Sequence, residues 1–233
     1  MQINKTYITL IACALINTDA QGRTDAIKHD NRSSTKIIQT YRFDELLDDG
    51  SYTIKIENLS SNINILGHEG SGAKVVIRNI AQVITEQEAQ EAYEHSKTIV
   101  KNFKDEGRIH IIGNNDKMQS LEMENFIDLN LPKNINLEIN LLGGDISLDN
   151  IHGESILKTL GGDININNHK GRADTKTNGG DIKINKVNGV FKGHSFGGNI
   201  YITDSNGDLA SSTVGGNIFM EKLYGVIGSQ ASG

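Results

Sequence analysis

The 233-residue chain contains a single cysteine, Cys13, so no intramolecular disulfide can form. It has one proline and no tryptophan, and only 5% of its residues are aromatic, so aliphatic packing and backbone pairing have to hold the fold together. Long basic runs are absent and the formal net charge is −6. This argues against a nucleic acid as partner, because phosphate binding needs clustered Lys and Arg.

Glycine, by contrast, is abundant, with 25 residues. Many glycines with almost no proline are typical of repeated tight turns between strands, and a disordered linker would contain more proline.

The first 20 residues have the pattern of an export signal. Lys5 supplies a positive charge, and residues 7–16 form an apolar core too short to span a bilayer as a helix. Three interpretations stay open: cleavage after Ala20, lipidation of Cys13 at the end of the lipobox-like sequence LIAC (residues 10–13), or a buried N-terminal strand. We expect membrane attachment only through such a lipid anchor, and export to the periplasm or cell surface of a bacterium.

The middle of the chain is predicted to be rich in β-strands and to contain one helix. Residues 21–36 are polar and unpatterned, which predicts a flexible tether, and residues 37–141 contain several strand-like segments. Thr85 and Glu88 form a capping box. The apolar residues that follow at helical spacing are Ala89, Ala92, Tyr93, Ile99, Val100 and Phe103. We therefore predict an amphipathic helix over residues 86–104, within the strand-rich segment.

Residues 142–233 repeat with a period of eighteen. Glycine pairs stand at Gly143, Gly144, Gly161, Gly162, Gly179, Gly180, Gly197, Gly198, Gly215 and Gly216. Each pair is followed by Asp or Asn and then by the ladder residues Ile146, Ile164, Ile182, Ile200 and Ile218, and a single glycine recurs at Gly153, Gly171, Gly189, Gly207 and Gly225. Thr or Ser precedes four of the five pairs, at Thr159, Thr177, Ser195 and Thr213. A short, strictly kept period is the signature of a repeat architecture.

The period predicts a mainly β fold, a parallel β-solenoid with 18-residue coils. Stacked coils place like residues on like, so the isoleucines form interior ladders with about 4.8 Å between coils. Two short sheets lie back to back, one after each glycine pair and one after each single glycine. The glycine pairs are structural corners, because a sharp turn needs φ > 0, and the following Asp or Asn accepts hydrogen bonds from neighbouring amides.

Other chemistries are disfavoured by the same pattern. A phosphate loop needs its glycines once, ahead of a helix and a Lys, whereas these recur ahead of strands. Asp145, Asp163 and Asp181 offer only a weak cation possibility, since the last two coils carry Asn instead. The histidines of the repeats fall at different positions of the 18-residue unit, so they do not converge as ligands. The sequence contains no recognisable set of catalytic residues and no loop insertion that could form the wall of a groove. We therefore expect no cofactor and no enzyme activity.

One surface feature points to binding. The position after the ladder isoleucine should face outward, and it becomes aromatic at Tyr201 and Phe219, with Tyr224 nearby in sequence. Stacked exposed aromatic rings can bind a sugar or a partner strand. A glycan or an envelope protein is the expected partner.

The segments ENLSSNINILG and DLNLPKNINLEINLLGGDI, with the TxGG[DN]IxI repeat, resemble the putative-adhesin family of bacterial envelope proteins. The resemblance covers residues 37–233. It implies an exported β-solenoid, often lipid-anchored, with adhesive or envelope-stress roles and no known catalytic residues.

The expected function is therefore non-catalytic binding or adhesion at the envelope. Two alternatives stay open, an accessory sensor in envelope-stress signalling and, less favoured, a carbohydrate-active enzyme. Gly233 occupies the first position of a sixth pair, so the repeat ends in mid-copy, which predicts a truncated gene product or a capping partner.

Overall fold

The computed structural model describes residues 7–8, 21–30, 34–46, 50–82, 88, 91, 98–113 and 123–232. Almost all of these residues lie in β-strands. In chain order the strands are β1 Tyr7–Ile8, β2 Gln21–Asp30, β3 Ser34–Phe43, β4 Thr53–Ser60, β5 Asn62–His68, β6 Ala73–Gln82, β7 Thr98–Phe103, β8 Arg108–Gly113, β9 Met123–Pro132, β10 Asn136–Gly143, β11 Ile146–Thr159, β12 Ile164–Thr177, β13 Ile182–Ser195, β14 Ile200–Thr203, β15 Asn206–Thr213, β16 Ile218–Glu221 and β17 Tyr224–Ala231. A 3-10 helix, Lys104–Glu106, joins β7 to β8.

The repeats form a parallel β-solenoid, as predicted. β11 pairs with β12 and β12 with β13 in parallel, each time matching a residue to the one eighteen positions later. β14 and β16 continue the first column of strands, and β15 and β17 continue the second. The register of the stack therefore follows directly from the sequence period.

Two coils without the period extend this stack toward the N-terminus. β10 pairs in parallel with β4, and β11 pairs with β5. β4 in turn pairs with β8, and β5 with β9. The order in space is therefore β8 and β9, then β4 and β5, then the repeats, which differs from the order in the chain.

Antiparallel strands continue the sheet beyond that first coil. β6 pairs with β9, β3 with β6, and β2 with β3. β7 pairs antiparallel with β8, and β1 pairs with β2 through Tyr7 and Ile8. The prediction of a flexible tether over residues 21–36 is wrong, because β2 and the start of β3 hydrogen-bond to each other along their length. Backbone pairing needs no apolar side-chain pattern, so the polar sequence gave no signal of it.

The predicted amphipathic helix over residues 86–104 is not supported. Its C-terminal part is wrong, because Thr98–Phe103 is strand β7. Residues 83–87, 89–90 and 92–97 lie outside the described residues, and the two described ones between them, Glu88 and Glu91, are in helical conformation. Thr98 and Val100 are buried while Ile99 is exposed, the alternation of a strand packed on one face.

The interior of the repeats is filled by the predicted isoleucine ladders. Ile146, Ile164, Ile182 and Ile200 are each fully buried. Truncating one of them to Ala would cost about 2–5 kcal/mol. In the second column Phe191 is the largest fully buried side chain, and a Cβ added at Gly193 would lie 2.6 Å from its Cζ atom. The missing side chain at Gly193 therefore leaves room for the ring.

Candidate functional site

The residue after each glycine pair ties one coil to the next. The backbone N–H of Asp163 donates to Asp145 Oδ1 at 2.8 Å, and the N–H of Asp181 donates to Asp163 Oδ1 at 2.8 Å. Asn199 and Asn217 continue the series at 2.8 and 2.9 Å. The side-chain oxygen thus accepts a hydrogen bond from the backbone amide eighteen residues later, whereas the predicted Asx turn would place this bond within the same coil.

This ladder begins earlier than the period suggests. The N–H of Asp145 donates to Asn62 Oδ1 at 2.9 Å, although the two residues are 83 positions apart. Since 83 is not a multiple of eighteen, the repeat period does not predict this role for Asn62.

The second glycine of each pair is required by the close approach of coils. A Cβ at Gly180 would overlap the carbonyl oxygen of Gly162, and the same overlap recurs at Gly198 and Gly216. Gly144 and Gly162 also have positive φ, 97° and 121°. Positive φ explains only those corners, so close approach is the more general reason for the glycine.

The Thr and Ser residues that precede the glycine pairs link adjacent coils through hydrogen bonds in the interior of the solenoid. Thr177 Oγ1 donates to the carbonyl of Gly162 at 2.9 Å and accepts from the N–H of Gly180 at 3.2 Å. Ser195 makes the equivalent bonds to Gly180 and Gly198. These hydroxyls are buried, so their role is to satisfy backbone groups in the corner.

A further corner has no glycine. Asn150, Asn168, Lys186, Asp204 and Lys222 occupy one position of the coil and all have φ between 49° and 59°. Asn and Asp tolerate this left-handed conformation better than most residues, which was a partial signal in the sequence. Lys186 and Lys222 gave none.

The acidic corners are occupied by other contacts. One oxygen of Asp163 accepts an amide, and Lys183 Nζ lies 3.4 Å from the other oxygen and 3.9 Å from Asp181 Oδ2. In the part of the chain that the structure describes, no group of three His, Cys, Asp or Glu side chains is arranged to hold a metal. The weak cation possibility at Asp145, Asp163 and Asp181 therefore gains no support.

The outward face of the first column holds an aromatic pair, Tyr201 and Phe219. These two residues are aligned between β14 and β16, and their rings stack with centroids 4.9 Å apart at an angle of 9°. Phe219 is 50% exposed. Tyr224 begins β17, which belongs to the other column of strands, so Tyr224 does not continue the stack formed by Tyr201 and Phe219.

A shallow trough of about 650 Å³, called the amide trough below, has Tyr201 in its lining. Its other polar residues are Asn64, Ser147, Asp149, Asn165, Asn167, Lys183, Asn185 and Thr203. Asn167 Nδ2 donates to Asp149 Oδ1 and Asn185 Nδ2 donates to Asn167 Oδ1, both at 2.8 Å. Thr203 Oγ1 donates to Asn185 Oδ1 at 3.1 Å. The first two bonds each use one of the two Nδ2–H donors of an Asn side chain, so each amide carries a second N–H that can donate, whereas in the third bond the Asn185 carbonyl oxygen accepts from the hydroxyl.

A buried histidine is the main polar group of the interior that sequence reasoning missed. His169 is fully buried in the column that also contains Ile151 and Val187, and its Nε2 lies 3.0 Å from Ser155 Oγ. Among the described residues its Nδ1 has no hydrogen-bond partner. Burial, together with the neighbouring His152, lowers the pKa of His169 to about 4.

Two sequence predictions concern residues that the structure does not describe. Cys13, the candidate lipidation site, and Gly233, the start of the sixth pair, both lie outside the described residues. Within the described residues, no helix has the length and apolar character needed to cross a membrane.

No protein-family model matches the chain, and no curated protein matches its sequence. Solved structures with a similar arrangement include a "putative cell adhesion protein" from Clostridium sporogenes, with 13% identity, a TM-score of 0.42 and coverage of 85% of this chain and 99% of that one. A "putative adhesin" from Bacteroides fragilis has 12% identity, a TM-score of 0.40 and coverage of 84% and 96%. A third, from Parabacteroides merdae, has 13% identity, a TM-score of 0.24 and the same coverage.

Proposed function

We propose that this protein is a non-catalytic, exported binding protein that attaches to glycans through the outward face of its first column of strands. The observation that carries the proposal is the aromatic pair beside the amide trough. The rings of Tyr201 and Phe219 are nearly parallel and that of Phe219 is half exposed, and exposed aromatic rings can stack on the apolar face of a sugar ring.

The amide trough supplies the polar half of such a site. Sugar hydroxyls need partners that can donate and accept, and Asn side chains do both. The ladder from Asp149 through Asn167 and Asn185 to Thr203 holds these groups in fixed positions along the stack. A rigid, pre-ordered surface reduces the entropy lost on binding.

Adhesion is the form of binding that we favour. The solenoid repeats the same outward positions once per coil, so an extended ligand can contact several coils at once. Contacts repeated along one ligand raise the overall affinity above that of a single contact. The resemblance of the repeats to the putative-adhesin family agrees with this interpretation.

A glycan array tests the proposal. The wild type is compared with a Tyr201→Ala/Phe219→Ala variant, with Leu160→Ala as a control that removes an exposed apolar side chain elsewhere. We expect the double variant to lose affinity for the bound glycans by at least about tenfold, or about 1.4 kcal/mol, while the control binds as the wild type does. Binding of no glycan by the wild type, or equal binding by all three proteins, would refute the proposal.

Export is a separate part of the proposal and has its own test. Cell fractionation of the full chain is compared with a Cys13→Ser variant. Loss of membrane association in the variant identifies lipidation of Cys13, and an unchanged distribution outside the cytoplasm identifies simple cleavage. Retention of both proteins in the cytoplasm would contradict export.

A further inference from the structure

We infer that the opposite face of the solenoid carries a second binding site, a basic groove for an acidic polysaccharide. The basic groove is lined by Lys158, Lys176, Lys192, His194, Ser212 and Gln230 on the outward face of the second column of strands and has a volume of about 590 Å³. Nothing in the proposed function depends on this face, and the inference goes beyond it.

The shape of the basic groove follows from the change of residue size along one column. Lys192 on β13 is aligned with Ala210 on β15, and Ala210 with Gly228 on β17. The outward surface therefore drops from a long side chain to a methyl group and then to bare backbone. The neighbouring column runs from His194 to Ser212, so small polar groups border this floor.

Its charge is positive although the protein as a whole is acidic. Lys158, Lys176 and Lys192 are exposed, and within the described part of the chain none of them is in an ion pair. Asp174 is the acid of the lining, and Arg172 Nη2 already neutralises it at 2.6 Å. With a net charge of −6 on the whole chain, three unpaired lysines on one short strip make a local site for an anion.

The arrangement suits a linear polymer. Lys158, Lys176 and His194 occupy the same register position on β11, β12 and β13, which are about 4.8 Å apart. A chain that runs along the solenoid axis would meet one of these three side chains in each of three successive coils, and then Ser212 and Gln230 in the next two.

The remaining groups favour a sugar over an acidic peptide. Phe196 is 49% exposed beside the groove, in edge contact with the His194 ring at 5.1 Å and 6.0 Å from Lys176 Nζ. An exposed ring among lysines can stack on a sugar while the lysines bind its carboxylates.

Titration calorimetry with polygalacturonate tests the inference, with neutral dextran and polyglutamate as comparison polymers. The test variant is Lys176→Gln/Lys192→Gln. The matched control is Lys170→Gln/Lys186→Gln, which loses the same charge at exposed positions outside the lining. Far-UV circular dichroism checks that both variants are folded.

We expect the wild type to bind polygalacturonate and not dextran, the test variant to bind at least about tenfold more weakly, and the control to bind as the wild type does. The Tyr201→Ala/Phe219→Ala variant should keep polygalacturonate binding, which separates this site from the aromatic pair. Equal loss in the test and control variants would overturn the inference, as would no binding by the wild type. Polyglutamate binding as tight as that of polygalacturonate would overturn the assignment to a sugar.

Discussion

The buried His169 is expected to make the stability of the solenoid depend on pH. Its side chain replaces an aliphatic residue of the coil, and Val187 stands at the same position one coil later. Burial disfavours the charged imidazolium, so the pKa falls from the ordinary value of 6.5 to about 4 in the folded protein. The unfolded chain therefore binds a proton at a higher pH than the folded chain does.

The sign and size of the effect follow from that difference. Above about pH 6.5 the histidine is neutral in both states and the stability is fully present. As the pH falls from about 6.5 to about 4, the unfolded state gains the proton first, and stability decreases by about 1.4 kcal/mol per pH unit. The total loss attributable to His169 is about 3 kcal/mol.

Urea unfolding at several pH values, followed by far-UV circular dichroism, measures this loss. The comparison protein is Ser155→Ala/His169→Val, which removes both partners of the buried hydrogen bond and leaves no unpaired hydroxyl. We expect the unfolding free energy of the wild type to fall more steeply than that of the variant between about pH 6.5 and about pH 4. His152, whose pKa is also lowered by burial and by Lys170, is present in both proteins and cancels in the comparison. Parallel curves for the two proteins would refute the reasoning.

The corner geometry leads to two more predictions. Gly180→Ala should lower the free energy of unfolding by about 1–3 kcal/mol, because its Cβ would overlap the carbonyl of Gly162. Gly179→Ala should change it by no more than about 0.5 kcal/mol, because a Cβ at Gly179 would lie 3.9 Å from the Cα of Gly161. Equal effects of the two substitutions in thermal unfolding would contradict this explanation. Thr177→Val keeps the side-chain shape but removes the hydrogen bonds to Gly162 and Gly180, so urea unfolding should show a loss of about 1–3 kcal/mol. An unchanged midpoint would show that the hydroxyl contributes nothing to the corner.

The repeats were predictable because their period alone determines the register. Once Gly161 follows Gly143 by eighteen residues, parallel stacking aligns every later residue, and the isoleucine ladders and outward positions follow. The same eighteen-residue spacing predicts that Tyr201 and Phe219 are aligned on neighbouring strands. Close approach at Gly180 was not predictable, since it depends on the distance between two backbones and not on any residue pattern.

The N-terminal part was harder because it has no period. β4 and β8 pair although they are more than fifty residues apart in the chain. No residue pattern marks this pairing, so the non-sequential order of the coils could not be predicted. The misassigned strand β7 shows the same limit on a smaller scale. The run Thr98, Ile99, Val100 is β-branched, which favours a strand, but the apolar spacing up to Phe103 also fits a helix.

Binding through the aromatic pair is the central claim, and the dissociation constant of one glycan for two proteins tests it most directly. Titration calorimetry with the strongest glycan from the array compares the wild type with Tyr201→Ala/Phe219→Ala under the same conditions. We predict that the variant, with an unchanged circular dichroism spectrum, binds at least about tenfold more weakly. Equal dissociation constants for the two folded proteins would contradict the claim.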